Sequence, residues 1–266
     1  MRNFWFGHLR RRGSVLRLPL CRALLVLCYA IGAPASAAEL RMIFTQYTPP
    51  YVIEDGTGIL VEIVRTALES SGYNVKPVYV PIGRGFKMFT EKQADGTTIL
   101  QESSGVKAQY SQNFMQYHNR AFALKARNLQ IRTIADLKDK SVIAFQNAEK
   151  YLGEDFRRAV AGNPKYKEMA QQDAQTHMLL LYRTDVAVMD ESIFRFYRQK
   201  LINEGKADRT QEYVGFNIFP PTPYKAAFHD PKVRDGFDKA IAAMRKDGRY
   251  DAIYKKYAER YFPVEK

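Results

Sequence analysis

Residues 184–190 read Thr-Asp-Val-Ala-Val-Met-Asp, four apolar side chains with a carboxylate at either end. A short apolar run bounded by polar residues is a strand buried on both faces, and Ile193 to Ile202 continues it with helical spacing. Upstream, Ser141-Val-Ile-Ala-Phe145 is a similar strand. The short helix Ile134-Ala-Asp-Leu-Lys-Asp139 leads into it, and helices over 148–160 and 174–182 follow. Tyr213 to Phe219 returns as a strand. The same alternation fills the earlier chain. Leu40 to Phe44 is a strand that ends in the turn Tyr47-Thr-Pro-Pro-Tyr51. Leu60, Ile63, Val64, Ala67 and Leu68 stripe a helix that Gly72 closes. Val75 to Val80 is a strand, Gly83 to Gln93 a helix and Asp95 to Leu100 a third strand. Val233, Phe237, Ile241 and Met244 stripe a late helix ended by Gly248, before a last aromatic helix with Tyr250, Ile253, Tyr257 and Tyr261. Strands separated by helices predict βαβ units and mostly parallel sheets. The expected fold class is α/β, in two lobes, the second inserted into the first. Two hinge crossings are expected near 119–126 and 217–227, giving lobe 1 as 38–122 and 223–266 and lobe 2 as 123–222.

The N-terminus reads as a signal peptide over residues 1–37. Six arginines precede the first acid, Glu39. The apolar run from Ala23 to Ala33 is shorter than the ~20 residues that span a bilayer. Ala35-Ser36-Ala37 then supplies a small-residue cleavage site. Leu27 before Cys28 does not suit a lipidated cysteine, and Arg11-Arg12 lacks a twin-arginine continuation, so general secretion to the periplasm is expected. Both cysteines, Cys21 and Cys28, lie inside this segment. The mature chain then has neither a disulfide nor a thiol catalyst, and its core alone must hold it together. Its 229 remaining residues are enough for that core. Six arginines leave and no acid does, so the net charge falls from +13 to +7. That balance fits a lysine-rich solvated surface, with only a weak pull on acidic ligands. No nucleic-acid motif, P-loop, nucleophile elbow or Ser-His-Asp order is present. His118, His177 and His229 stand too far apart for metal spacing. No cofactor, no metal and no catalytic residue is expected.

In order along the chain, several motifs resemble those of the bacterial extracellular solute-binding proteins of family 3, the amino-acid-type periplasmic binding proteins. Pro50-Tyr51, Glu54-Asp-Gly56 and Gly58-Ile-Leu-Val-Glu62 resemble the family's opening. Val80-Pro-Ile-Gly-Arg84, Ile134 to Val142, Thr184 to Asp190 and Lys246 to Tyr254 are similar to its later blocks. The resemblance covers nearly all the mature chain. It implies a periplasmic-binding-protein-like clamp that closes on a small polar solute by a ligand-driven population shift.

Carried over residue by residue, the resemblance assigns Asp190 to a ligand amino group, while an Asp there also suits the N-cap of the following helix. The family's carboxylate-binding arginine has no counterpart. Seven residues before Tyr110-Ser111 lie Ser103 and Ser104. Either the ligand lacks an α-carboxylate or another cation meets it, with Arg84 the first candidate and Lys107 the second. Asn147-Ala148 stands at the second lobe's donor turn, without the hydroxyl but with backbone N–H groups at a helix start. Tyr47, Tyr51 or Tyr79 can replace a missing aromatic platform. Glu102, Ser103 and Ser104 fall where the family lines its cleft, and are equally ordinary loop residues.

Two classes of function remain. A monomeric receptor would capture a small polar solute and deliver it to an inner-membrane permease of the ABC-transporter kind or to a membrane sensor. A dehydratase-like enzyme on the same fold would need Glu54, Glu62 or Glu102 as a general acid. A degenerate interaction module that binds no solute is a third reading.

Overall fold

The computed structural model describes residues 37–262, and the expected signal segment lies outside them but for Ala37. The first stretch of chain carries β1 (Ala38–Phe44), α1 (Ile59–Ser70), β2 (Tyr73–Tyr79), α2 (Ile82–Thr90), β3 (Gly96–Thr97), β4 (Gln109–Tyr110) and β5 (Met115–Tyr117). The second carries β6 (Asn119–Leu124), β7 (Val142–Phe145), α3 (Ala148–Tyr151), α4 (Glu154–Val160), β8 (Tyr166–Met169), α5 (Gln172–Leu180), β9 (Val186–Asp190), α6 (Glu191–Asn203) and β10 (Tyr213–Phe216). The third returns with β11 (Thr222–Tyr224), β12 (Ala227–Phe228), α7 (Pro231–Asp247) and α8 (Arg249–Tyr261).

These stretches make two five-stranded sheets. The first has the order β2-β1-β3-β12-β4, so a strand from the third stretch sits between two from the first. That interleaving makes the second lobe an insertion. β1 and β2 run parallel from Ala38 opposite Tyr73 to Phe44 opposite Tyr79. The second sheet has the order β10-β6-β9-β7-β8. In β9 every residue is buried, and Val186 to Met189 expose nothing. A central strand covered by helices on both faces requires an unbroken apolar run of this kind.

The two chain crossings lie side by side. β5 pairs antiparallel with β11, with Tyr117 opposite Thr222 and Met115 opposite Tyr224. Because β6 already belongs to the second sheet at Asn119, the expected boundary at residue 122 falls inside it. Contact between the lobes is not confined to this ribbon. Ile193, Phe196 and Tyr197 of α6 join the apolar cluster that holds Tyr51, Leu60 and Tyr257.

The loop before α1 is held in a shape that places Tyr51. Gly58 has φ 140°, and a Cβ there would overlap the Tyr51 carbonyl oxygen. Its N–H donates to Tyr257 Oη at 2.8 Å, and Tyr257 Oη donates to Glu62 Oε1 at 2.6 Å. Glu62 thus ties α8 to α1, and Lys256 Nζ also reaches it at 2.7 Å.

Some expected elements differ. The helix expected over 148–160 breaks into α3 and α4 at Gly153, whose φ of 89° no right-handed helix admits. The expected strand 95–100 shortens to β3. β8 was not expected, because Tyr-Lys-Glu-Met carries too little apolar pattern to mark an edge strand.

Candidate functional site

A cleft of about 270 Å³ lies where the lobes meet the hinge ribbon. The first lobe contributes Thr45, Tyr47, Thr48, Ile82 and Thr98. The hinge adds Tyr117, Thr222 and Tyr224, and the second lobe Asn119, Phe145, Asn147, Tyr151, Gln172 and Asp190. Hydroxyls, amides and aromatic rings predominate.

Asp190 occupies the point where β9 ends and α6 begins. Its Oδ1 accepts from the backbone N–H groups of Ser192 at 2.9 Å and Ile193 at 3.2 Å, which caps the helix. The same oxygen accepts from Tyr51 Oη at 3.0 Å. Oδ2 accepts from the backbone N–H of His118 at 2.8 Å. The carboxylate therefore joins α6, the first lobe and the hinge. Only 3% of the residue is exposed. Burial pushes its pKa up to about 6, against the pull of the His118, Ile193, Tyr51 and Ser192 donors. Asp190 is thus the N-cap of α6 and at the same time a residue of the cleft lining.

The cleft floor is aromatic. Tyr117 packs edge-on against Tyr51 with centroids 4.6 Å apart, and against Tyr224 at 4.7 Å. Burial, and after it the Asp190 charge, holds the Tyr51 phenol well above its ordinary range. Burial likewise pushes Tyr224 up to about 12. These phenols are neutral hydrogen-bonding groups at any physiological pH.

The other expected residues divide. Tyr47 lines the cleft, 37% exposed. Tyr51 lies beneath the cleft as the partner of Asp190. Tyr79 donates to the Gly56 carbonyl at 2.7 Å and serves the loop before α1. Asn147 lines the cleft, but its backbone N–H is spent on Glu168 Oε2 at 2.7 Å.

Arg84 stands apart from the cleft residues. It is exposed and outside the cleft lining, although Ile82 of the same helix lines it. Two residues along a helix turn the side chain by about 200°, so the two point to opposite sides. Arg84 and Asp190 thus do not line this cleft together. Lys107 is exposed and also outside the lining. Glu102 pairs with Lys225 at 3.0 Å, and Ser104 accepts from the Val106 N–H at 3.4 Å; neither side chain lines the cleft. Ser103 belongs to the same 3₁₀ turn. Sequence reasoning missed Thr98, Tyr117, Asn119, Gln172, Thr222 and Tyr224. For the hinge members the usable signal was their position beside the crossings.

Two α/β lobes, one inserted in the other, with a polar cleft at a double crossing, define the class of solute-binding clamps. The chain belongs to the bacterial extracellular solute-binding proteins, family 3, whose family model matches residues 40–260. No curated protein gives a significant match. Among solved structures the chain is similar to an ancestral arginine-binding protein bound to arginine, at 21% identity and a TM-score of 0.63, covering 84% of this chain and 99% of that one. It is similar to the GluR0 ligand-binding core from Nostoc punctiforme in complex with L-glutamate, at 16% identity and a TM-score of 0.62, covering 82% and 98%. A histidine kinase sensor domain with similarity to periplasmic binding proteins aligns at 17% identity and a TM-score of 0.64, covering 84% and 96%. At these identities the structures speak for the fold.

Proposed function

We propose that this protein, exported and freed of residues 1–37, acts as a periplasmic monomer that captures a small polar solute in the cleft. It then presents the solute to an inner-membrane permease of the ABC-transporter kind or to a membrane sensor. The observation that carries this reading is Asp190. It belongs to the second lobe, bonds Tyr51 of the first, and borders a cleft lined from both sides. A solute bridging that cleft couples the lobes, as a closing clamp requires. Family membership supports the same reading. The enzyme alternative gains no support from the geometry. Glu54 is exposed, Glu62 is tied to Tyr257 and Lys256, Glu102 is paired with Lys225, and none of the three lines the cleft.

Native mass spectrometry of the purified protein after incubation with a metabolite extract tests the proposal. Small-angle scattering of the same samples reads closure. The expected result is one retained, chemically unchanged molecule per chain and a smaller radius of gyration. A protein that retains nothing and keeps its dimensions would refute solute capture. Appearance of a transformed product would favour the enzyme.

A further inference from the structure

Around the cleft, the cationic side chains that would neutralise a ligand carboxylate are missing, and two backbone donors are already used. No lysine or arginine lines it among the described residues. Two of the backbone N–H groups at the start of α3 are filled from within the chain. Glu168 of β8 accepts from Asn147 N–H at 2.7 Å through Oε2 and from Glu149 N–H at 3.1 Å through Oε1. Tyr166 Oη donates to the same Oε1 at 2.8 Å and holds the side chain in place. The turn expected to donate to an anionic ligand thus carries an anion of its own.

The remaining charge in the cleft is Asp190. No lysine or arginine among the described residues forms an ion pair with it. Three of its four hydrogen bonds fall on Oδ1 and one on Oδ2. A carboxylate oxygen accepts about two, so Oδ2 keeps one acceptor direction. Phe145, Tyr47, Tyr151 and Tyr224 add aromatic rings to the lining, and a cation is drawn to such faces. A volume near 270 Å³ limits the occupant to a small metabolite.

We propose that the solute is a small organic amine without a carboxylate group. The proposal rests on the solute-binding reading above. The ammonium would donate to Asp190 Oδ2 while the organic body lies among the tyrosines. A carboxylated analogue would desolvate its anion without a charged partner, near both Asp190 and Glu168. Forgoing one charge-assisted bond alone costs about ten- to a hundredfold in affinity.

Matched pairs differing only in the carboxylate test this by isothermal titration at pH 7.5: tyramine against tyrosine, agmatine against arginine, cadaverine against lysine, histamine against histidine. At least one amine is expected to bind, and to exceed its amino acid by tenfold or more. Glu168→Ala frees two N–H groups and removes a negative charge, so it should narrow that ratio. An amino acid that binds as tightly as its amine overturns the proposed class and leaves solute binding intact. If no amine binds, the proposal also falls. A molecule retained in the metabolite-capture experiment then separates that failure from a failure of solute binding itself.

Discussion

Replacing Tyr51 with Phe removes one hydroxyl and nothing else from a side chain that is 2% exposed. The lost bond is the one Tyr51 Oη donates to Asp190 Oδ1 at 3.0 Å. Its worth depends on the state of the acceptor. A hydrogen bond to a charged group contributes about 1.5–3 kcal/mol, and one between neutral groups about 0.5–1.5. Asp190, with a pKa pushed up to about 6 by burial, changes state within an accessible range. The sign follows from linkage. Its folded pKa is raised, so the stability it contributes is fully present below about pH 4 and is lost as pH rises through 6. Tyr51 opposes that loss by holding the ionised form. Without the hydroxyl the folded pKa climbs further, by a little under one unit for a difference of about 1 kcal/mol. Tyr51→Phe should therefore cost about 2 kcal/mol at pH 8 and about 1 kcal/mol at pH 4.5. For a chain of this size that is a Tm drop of roughly 4–8 °C and 2–4 °C respectively. Thermal melts of both proteins at the two pH values make the comparison, and shared titrations cancel in the difference. An equal drop at both, or a larger one in acid, would refute the account of this bond.

Asp190→Ala leaves the N–H groups of His118, Ser192 and Ile193 without their acceptor and uncaps α6. A loss of about 2–4 kcal/mol is expected in urea denaturation, and one under about 1 kcal/mol would deny Asp190 its capping role. Gly58→Ala forces a Cβ toward the Tyr51 carbonyl at φ 140°. It should cost about 1–3 kcal/mol, and an unchanged Tm would contradict the loop geometry. Arg84→Ala should leave the affinity for the captured solute within about twofold, because the side chain lies outside the cleft; a tenfold loss by titration would return Arg84 to the site.

What the sequence made legible followed from burial. The β9 strand, the stripe of α1 and the stripe of α7 have apolar patterns that only a packed core explains, and all three form where the pattern puts them. The edge strand β8 has no such pattern, since its two middle residues, Lys167 and Glu168, are exposed and the Glu168 carboxylate serves the start of α3. The place of Asp190 was legible because a strand end fixes it, and that end opens onto the cleft. The place of Arg84 was not legible, because a rotation of two residues about a helix axis decides between cleft and solvent. Tyr117 and Tyr224 were missed because they gain their place from strands paired across more than a hundred residues of sequence, a proximity that no local spacing encodes.

That pairing also bears on how a solute would be felt. Tyr117 lies on one crossing strand and Tyr224 on the other, edge to face at 4.7 Å, and Tyr117 meets Tyr51 beside Asp190. The His118 N–H bonded to Asp190 Oδ2 belongs to the single residue between β5 and β6. A rotation of the second lobe about the ribbon would change backbone angles at that residue, and so would move the donor that Oδ2 holds. A ligand group bonded to Oδ2 shares its acceptor with the hinge. On the proposed reading, occupancy and hinge angle would be coupled through one oxygen atom, while Oδ1, committed to α6 and Tyr51, keeps the carboxylate in place.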